Sequence, residues 1–147
     1  MPEERIIAID STSPLMPAVY AVRHQVFVVE QAVPPELERD EFDNVAVHLV
    51  ALRGGAVIGT LRIVVSGGSA KIGRMAVLAA ERKTGTGTRL MQHGIEIARS
   101  MGVSDITLHA QLAAKTFYAR LSYREEGEEF EEAGIQHVAM RRTLAAD

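Results

Sequence analysis

The 147-residue chain has no cysteine and no tryptophan, and its aromatic residues are four Phe and three Tyr. Without cysteine there is no disulfide, no thiolate metal site and no thiol nucleophile. No apolar run approaches the ~20 residues that a membrane-spanning helix needs, so no membrane is expected among the partners. The opening MPEERIIAIDSTSPL begins acidic and lacks a basic segment ahead of a long apolar core. That predicts no signal peptide and a cytoplasmic location.

What is present is the composition of a globular protein, 47% hydrophobic and 24% charged. The length predicts a single domain over 1–147. The formal charge of −3 conceals an asymmetry. Between Thr60 and Arg124 ten basic residues face three acidic ones, a net of +7, which leaves −10 for the remainder. Two acidic clusters account for most of that remainder, six acids in Glu30–Asp43 and six in Glu125–Glu132. Solvated faces are the ordinary meaning of such clusters. A basic middle that meets an anionic ligand is the sharper one.

Glu4 to Ile9 reads as a short strand. Thr12 or Ser13 is positioned to cap a helix with Pro14 in its first turn. Leu15, Val19, Val22 and Val26 follow at helical spacing, which predicts an amphipathic helix from Pro14 to about Val28. The stretch QAVPPELERDEFDN reads as an acidic loop with one helical turn. Val47–Arg53 and Ala56–Ser66 are strand runs joined by Gly54-Gly55, a hairpin signal. Gly67-Gly68 turns the chain into a third strand, Lys71 to Leu78. A Gly/Thr-rich loop then leads to a helix from about Thr86 to Met101, with Gly102 at its C-terminal end. Ser104–His109 reads as a strand, Leu112–Leu121 as a helix, and Tyr123–Phe130 and Gln136–Thr143 as two closing strands. The order β-α-β-β-β-α-β-α-β-β implies an α+β fold with a mixed, mostly antiparallel central sheet.

The chemistry concentrates in KIGRMAVLAAERKTGTGTRLMQHG. A strand ends at Val77 or Leu78, and a helix begins directly after the loop. A helix start exposes unpaired N–H groups with a partial positive charge and binds phosphate. Gly85 and Gly87 let backbone N–H groups approach a phosphate closely. Arg82 and Lys83 add charge, and Thr84, Thr86 and Thr88 add hydroxyls. The spacing Arg-x-x-Gly-x-Gly is neither a Walker A loop nor a dinucleotide fingerprint. By itself it is also compatible with an unliganded turn.

Strand, Arg-x-x-Gly-x-Gly loop, helix and strand, followed by a helix with Phe117-Tyr118 and then Tyr123, resemble the GNAT superfamily of acyl-CoA-dependent N-acetyltransferases. The resemblance covers essentially the whole chain and implies a GNAT-like sheet with helices on both faces. It implies that the strand Ile72 to Leu78 splays from its neighbour. Free backbone groups of Met75, Ala76 and Val77 would hold the pantetheine arm of acetyl-CoA, and Arg82 to Thr88 its pyrophosphate. Gln111 and Phe117 would complete the cofactor contacts, and Tyr118 would be the acid for the leaving thiolate. A narrower resemblance is to the ElaA-like branch. It rests on Arg23 to Gln31, Asp40, Asp43, His48, Ile72-Gly73-Arg74, Ala110-Gln111 and Gly134-Ile135-x-His137. A fainter one is to acyl-homoserine-lactone synthases. Three positions depart from the superfamily pattern. Gln111 replaces an asparagine, Ser122 a glycine, and Gly73 a glutamate that serves some members as base.

The base is therefore open. Glu30, His48, His137 and His109 are the candidates, in that order, since an attacking amine must be neutral. Arg23 is expected to pair with an acid of the Glu30–Asp43 segment. Alternatively, Glu30, Asp40 and Asp43 line an acceptor pocket and attract a cationic amine. The implied activity is acetyl transfer from acetyl-CoA to a small-molecule or peptide amine by direct attack. A non-catalytic acyl-CoA sensor is one alternative, and a synthase using another acyl donor is a second. No metal is implied. Nucleic acid is not an expected partner, because the basic residues flank a loop instead of forming a run. A homodimer fits a domain of this kind.

Overall fold

The computed structural model describes residues 3–144. Seven strands form one sheet: β1 (Glu4–Ile9), β2 (Val47–Arg53), β3 (Ala56–Ser66), β4 (Ser69–Val77), β5 (Asp105–Gln111), β6 (Arg124–Glu132) and β7 (Ile135–Thr143). Their order across the sheet is β1-β2-β3-β4-β5-β7-β6. Every pairing is antiparallel except β4 with β5. Gly54 and Gly55 both have positive φ, +59° and +81°. Two such residues are what a tight hairpin matched to the strand twist requires. The same geometry at the β6–β7 turn is carried by Ala133 and Gly134.

Four α-helical segments connect the strands: α1 (Met16–Arg23), α2 (Pro35–Glu38), α3 (Thr86–Ser100) and α4 (Lys115–Ala119). They cover both faces of the sheet. Leu90, Met91, Ile95 and Ala98 of α3 pack on one face against Leu49, Leu61, Ile63, Ile72 and Ile106. Val19 and Val22 of α1, with Val26, pack on the other against Val50, Val57 and Ala76. Alternation along β2 sends Leu49 and Ala51 one way and Val50 the other, the two-residue period of a strand. Two glycines let α3 lie close to the sheet. A Cβ on Gly59 would stand 3.1 Å from Leu90 Cδ1, and one on Gly94 would stand 3.2 Å from Ile72 Cδ1.

Several boundaries differ from the sequence expectation. The α1 helix begins at Met16, and no side chain caps it; Ser13 Oγ instead accepts the Leu15 N–H at 3.2 Å. It ends as α-helix at Arg23, and His24–Glu30 continue in a wider π-type coil. The periodicity of Val19, Val22 and Val26 is real but does not distinguish these two windings. The Phe-Tyr helix is shorter than expected, a 3₁₀ turn over Leu112–Ala114 followed by α4.

Two irregularities matter for the site. The β4–β5 ladder runs only over Ser69–Lys71 against Asp105–Thr107, and the strands part beyond it. Within β4, Arg74 has φ +50° and sits between Gly73, opposite Arg62, and Ala76, opposite Thr60. Two residues of β4, Arg74 and Met75, thus stand opposite one of β3, Leu61, which is a β-bulge. The bulge reverses the alternation. Ile72 faces α3 and Gly73 faces α1, but Met75 and Val77 turn to the α3 side and Ala76 to the α1 side.

Candidate active site

The opening between β4 and β5 leaves the β5-facing edge of β4 without a strand partner from Ile72 to Val77. Met75, Ala76 and Val77 lie on this stretch, and the glycine loop follows it. A 3₁₀ turn, Ala79–Glu81, leads to Lys83 at φ +65° and Gly85 at φ +88° before α3 begins. A Cβ on Gly85 would approach Arg89 Nη1 to 2.6 Å. The loop keeps its shape through Thr84 Oγ1, which donates to the Glu81 carbonyl at 2.7 Å, and Arg89, which donates to the Thr84 carbonyl at 3.1 Å. A Cβ on Gly87 would lie 3.7 Å from the Phe117 ring and 3.8 Å from Met75 Sδ. That brings the start of α3, the free stretch of β4 and α4 to one place.

The side chains of the loop are not all available. Thr86 is buried, and its hydroxyl donates to Glu4 Oε1 at 2.5 Å. Arg89 is paired with the same carboxylate. These contacts, the Arg89 hydrogen bond foremost, hold the Glu4 carboxyl down at about 2. Thr86 can therefore offer its backbone N–H but not its hydroxyl, a correction to the expectation that all three threonine hydroxyls face a ligand. Arg82 bridges strand and loop, donating to the Val77 carbonyl at 2.9 Å and pairing with Glu30 at 2.9 Å. Lys83 is exposed and has no ion-pair partner among the described residues.

Phe117 and Tyr118 stand edge to face, with centroids 5.0 Å apart. Tyr118 also meets the Tyr123 ring edge-on at 6.1 Å. Desolvation in this aromatic nest pushes the Tyr118 phenol up to about 12. Ser122, in the position where the superfamily pattern has glycine, adopts φ +69°. This is the left-handed region that glycine enters without strain. At the end of β5, Gln111 Nε2 donates to Gln31 Oε1 at 2.8 Å.

The base candidates separate cleanly. His48 is 0% exposed, with Nε2 donating to the Asp43 carbonyl at 2.9 Å and Nδ1 sealed without a partner. Its expectation as a base is corrected, because a sealed ring cannot meet a substrate amine. Glu30 is committed to Arg82, so its carboxylate serves the loop and not the opening. His137 is buried, its Nδ1–H donates to the Ile135 carbonyl at 2.7 Å, and its ring stacks on Phe130. His109 alone keeps a nitrogen free on an exposed ring among the described residues of this region.

The acidic segment is not an open acceptor wall. Arg23, 1% exposed, donates Nε to Glu38 Oε1 at 2.9 Å and Nη1 to Asp43 Oδ1 at 2.7 Å. Arg62 joins Asp40 at 2.6 Å and Asp43 at 3.0 Å, and Arg74 joins Glu38 at 3.1 Å and Asp40 at 3.3 Å. Three arginines thus neutralise three carboxylates, and Glu38 and Asp43 are 5% and 2% exposed. This corrects the reading of Asp40 and Asp43 as free attractors for an amine. The reading of solvated acids holds for Glu36 and Glu41, which are exposed, and is corrected for Glu38 and Asp43, which are buried. The Arg74 bulge is what turns that guanidinium away from the opening and toward α2.

The network dictates an acid response. Burial alone would raise the Asp43 carboxyl, but Arg23 and Arg62 overcome it and hold it at about 2, against an ordinary 3.8. Glu4 behaves alike, at about 2 against 4.5. A carboxyl depressed on folding contributes stability above its unfolded value, and that stability is lost as the pH falls through the folded value. The melting temperature is therefore expected to fall steeply between about pH 4.5 and about pH 2. Thermal melts in that window check this, and a flat profile would show that these pairs do not contribute.

A mostly antiparallel sheet that opens between two parallel neighbours, with a glycine loop at a helix start beside the opening, defines an acyl-CoA-dependent N-acetyltransferase. The chain belongs to the GNAT acetyltransferases: the family model described as "Acetyltransferase (GNAT) domain" matches residues 10–144. It is 38% identical over 124 residues to the uncharacterized N-acetyltransferase YjcF of Bacillus subtilis, covering 84% of this chain and 89% of that protein. The fold superimposes on an acyl-CoA N-acyltransferase from Pseudomonas aeruginosa with TM-score 0.87 and 30% identity, over 95% of this chain and 99% of the other. Escherichia coli ElaA is similarly related, with TM-score 0.85 and 25% identity, over 95% of this chain and 99% of that one.

Proposed function

We propose that the chain transfers an acetyl group from acetyl-CoA to a primary amine, on a small molecule or a peptide, by direct attack in a ternary complex. The observation that carries this reading is the β4–β5 opening, with the Gly85–Gly87 helix start at its mouth. The free edge of Met75–Val77 offers hydrogen-bonding groups to the amide-rich pantetheine arm. One N–H of that edge is the donor for the oxyanion of the tetrahedral intermediate. Backbone N–H groups of Gly85, Thr86, Gly87 and Thr88 take the pyrophosphate at the positive end of α3, with Lys83 and Arg82 adding charge. Gln111 and Phe117 line the same opening. Tyr118 faces the departing sulfur. The chain has no cysteine, so no thiol acyl-enzyme intervenes and the amine itself attacks. One domain carries both substrates, and the cytoplasm supplies the acetyl-CoA.

The test is release of CoA thiol from acetyl-CoA in the presence of a panel of amines, from polyamines and amino acids to peptide N-termini. Acceptor-dependent release supports the reading. CoA binding with no turnover on any amine would favour a sensor instead. The loop has its own test. Gly85→Val forces a β-branched residue into φ +88°, which costs on the order of 1–3 kcal/mol. Spent on distorting the loop, this should raise the KM for acetyl-CoA about tenfold or more, with a smaller change in kcat. An unchanged KM would remove the loop from the CoA site.

A further inference from the structure

On the α1 side of the β4–β5 opening there is a second cluster of side chains. Strand β5 turns Ile106, Leu108 and Ala110 into the α3-side core, so His109 and Gln111 point to the α1 side. Continuing the parallel register of Ser69–Lys71 with Asp105–Thr107 sets Gly73 level with His109 across the opening. A Cβ on Gly73 would meet nothing within 4 Å, so there is space where β4 offers no functional group. Met75, the first of the residues proposed to hold the pantetheine arm, is two residues further along this free edge, about 7 Å at a strand's rise per residue.

His109 borders this space with 33% of its side chain exposed. Its Nδ1 lies 3.0 Å from Glu132 Oε1. An ionised carboxylate can only accept, so Nδ1 carries the hydrogen and the lone pair is on Nε2. No partner occupies Nε2 among the described residues. The ring is held on a second side by Phe130, edge-on with centroids 4.9 Å apart. Phe130 in turn stacks on His137, which the Ile135 carbonyl anchors. The imidazole is thus oriented by a carboxylate, braced by an aromatic wall, and left with Nε2 unpartnered on a partly exposed ring of the strand that borders the opening.

We propose that His109 is the general base of the transfer, with Glu132 as its positioning residue. The proposal rests on the acetyltransferase reading above and deepens it. The neutral amine attacks the thioester carbonyl carbon, and the new C–N bond forms as the C=O electron pair moves to oxygen. The proton shed by the amine nitrogen passes to His109 Nε2, directly or through one water. The carbonyl re-forms and the C–S bond breaks with its electron pair on sulfur, where the Tyr118 hydroxyl stabilises the departing thiolate with a hydrogen bond. Proton exchange with solvent then restores His109. Glu132 of β6 is the charged group in contact with His109, and Glu132 in turn feels His137 of β7 and Lys71 of β4. Arg74 of β4 is turned away to Glu38 and Asp40, and the Gln31–Gln111 pair at the far end is neutral. Burial would raise the Glu132 carboxyl, but the hydrogen bond and charge of His109, with His137 and Lys71, bring it below its ordinary value. It therefore stays an acceptor over the working range.

The experiment is the pH dependence of kcat/KM for the best amine found, with calorimetric CoA affinity as the control for folding. His109→Gln should lower kcat/KM about 100-fold at neutral pH, the low end of what a positioned base contributes, while CoA affinity holds. The loss should shrink at alkaline pH, where hydroxide replaces the base. Glu132→Gln should lower kcat/KM by a smaller factor than His109→Gln and move the acid limb of the profile to lower pH, because the imidazolium loses its countercharge. A purely structural role for either residue would not move that limb. His109→Gln with the parent's rate and profile overturns the proposal and leaves the acetyltransferase reading intact. A parent chain that turns over no amine overturns both.

Discussion

Replacing Arg23 by Met is expected to lower the unfolding free energy by about 3–5 kcal/mol, the range for breaking a buried ion pair from one side. The loss arises from what remains. Arg23 supplies five hydrogen bonds from one guanidinium to Glu38 and Asp43 side chains, and a sixth to the Glu38 carbonyl. Without it, two carboxylates that are 5% and 2% exposed each keep a single cation, Arg74 for Glu38 and Arg62 for Asp43. Those remaining pairs place the expectation nearer 3 than 5. A total stability of 5–15 kcal/mol is typical, so the variant loses a large fraction of it. Arg23→Lys keeps the charge but not the fork that reaches two acids at once, and should fall between the two. Chemical denaturation at pH 7 measures both. The arginine's contribution should also shrink at low pH, because protonating Asp43 removes one of its two charged partners. A midpoint unchanged in both variants would mean that the network contributes no net stability and serves only to shape the α1–α2 wall.

The same network explains how much of this architecture was legible beforehand. The hairpins at Gly54-Gly55 and Gly67-Gly68, the α3 helix and the order of elements follow from local signals: paired glycines, two-residue alternation, and apolar spacing of three and four. The pairing of Arg23 with the Glu30–Asp43 segment was expected, but not that it takes Glu38 and Asp43 together. Nor was it legible that Arg62 and Arg74 complete the set. Their partners are 19 to 36 residues away, and only strand register brings them together. The charge asymmetry misled for this reason. Arg62 and Arg74 of the basic middle are consumed by the acidic segment, and Arg89 by Glu4. The contrast between the two stretches of sequence is largely a list of internal pairs, not a field awaiting a ligand.

Long-range sheet geometry hid the rest. The placement of β7 between β5 and β6 has no local sequence signature, yet it sets Glu132 beside His109, 23 residues away. His109 stood last among the base candidates because nothing in its own neighbourhood distinguishes it. His48 stood high because its burial cannot be read from a strand that alternates normally. The bulge at Arg74 is equally silent, since arginine is not a residue that announces a positive φ. Ser122 is the opposite case: it was noticed as a departure from glycine, and its φ of +69° explains why glycine is the ordinary occupant.

Tyr118→Phe should lower kcat by about 100- to 1,000-fold, the range for deleting one well-placed donor to developing charge. The argument turns on the environment of the phenol. Packed against Phe117 and Tyr123, it is raised by desolvation to about 12. It therefore stays protonated at every working pH, which a donor requires. A thiolate with an ordinary value near ~8.5 is a weaker base than that phenolate. Complete transfer from phenol to sulfur is uphill by roughly three units, and the principal contribution is a hydrogen bond that strengthens as charge builds on sulfur. Three consequences follow. The KM for acetyl-CoA should change little, since a neutral thioester sulfur accepts hydrogen bonds poorly. The pH profile should show no basic limb from Tyr118 below about pH 11. Acetyl donors with a more acidic thiol should be less sensitive to Tyr118→Phe, because less charge needs support as the sulfur leaves. Steady-state rates with acetyl-CoA and an aryl thioacetate decide the matter: equal loss on both would move Tyr118 from the leaving group to a packing role in α4.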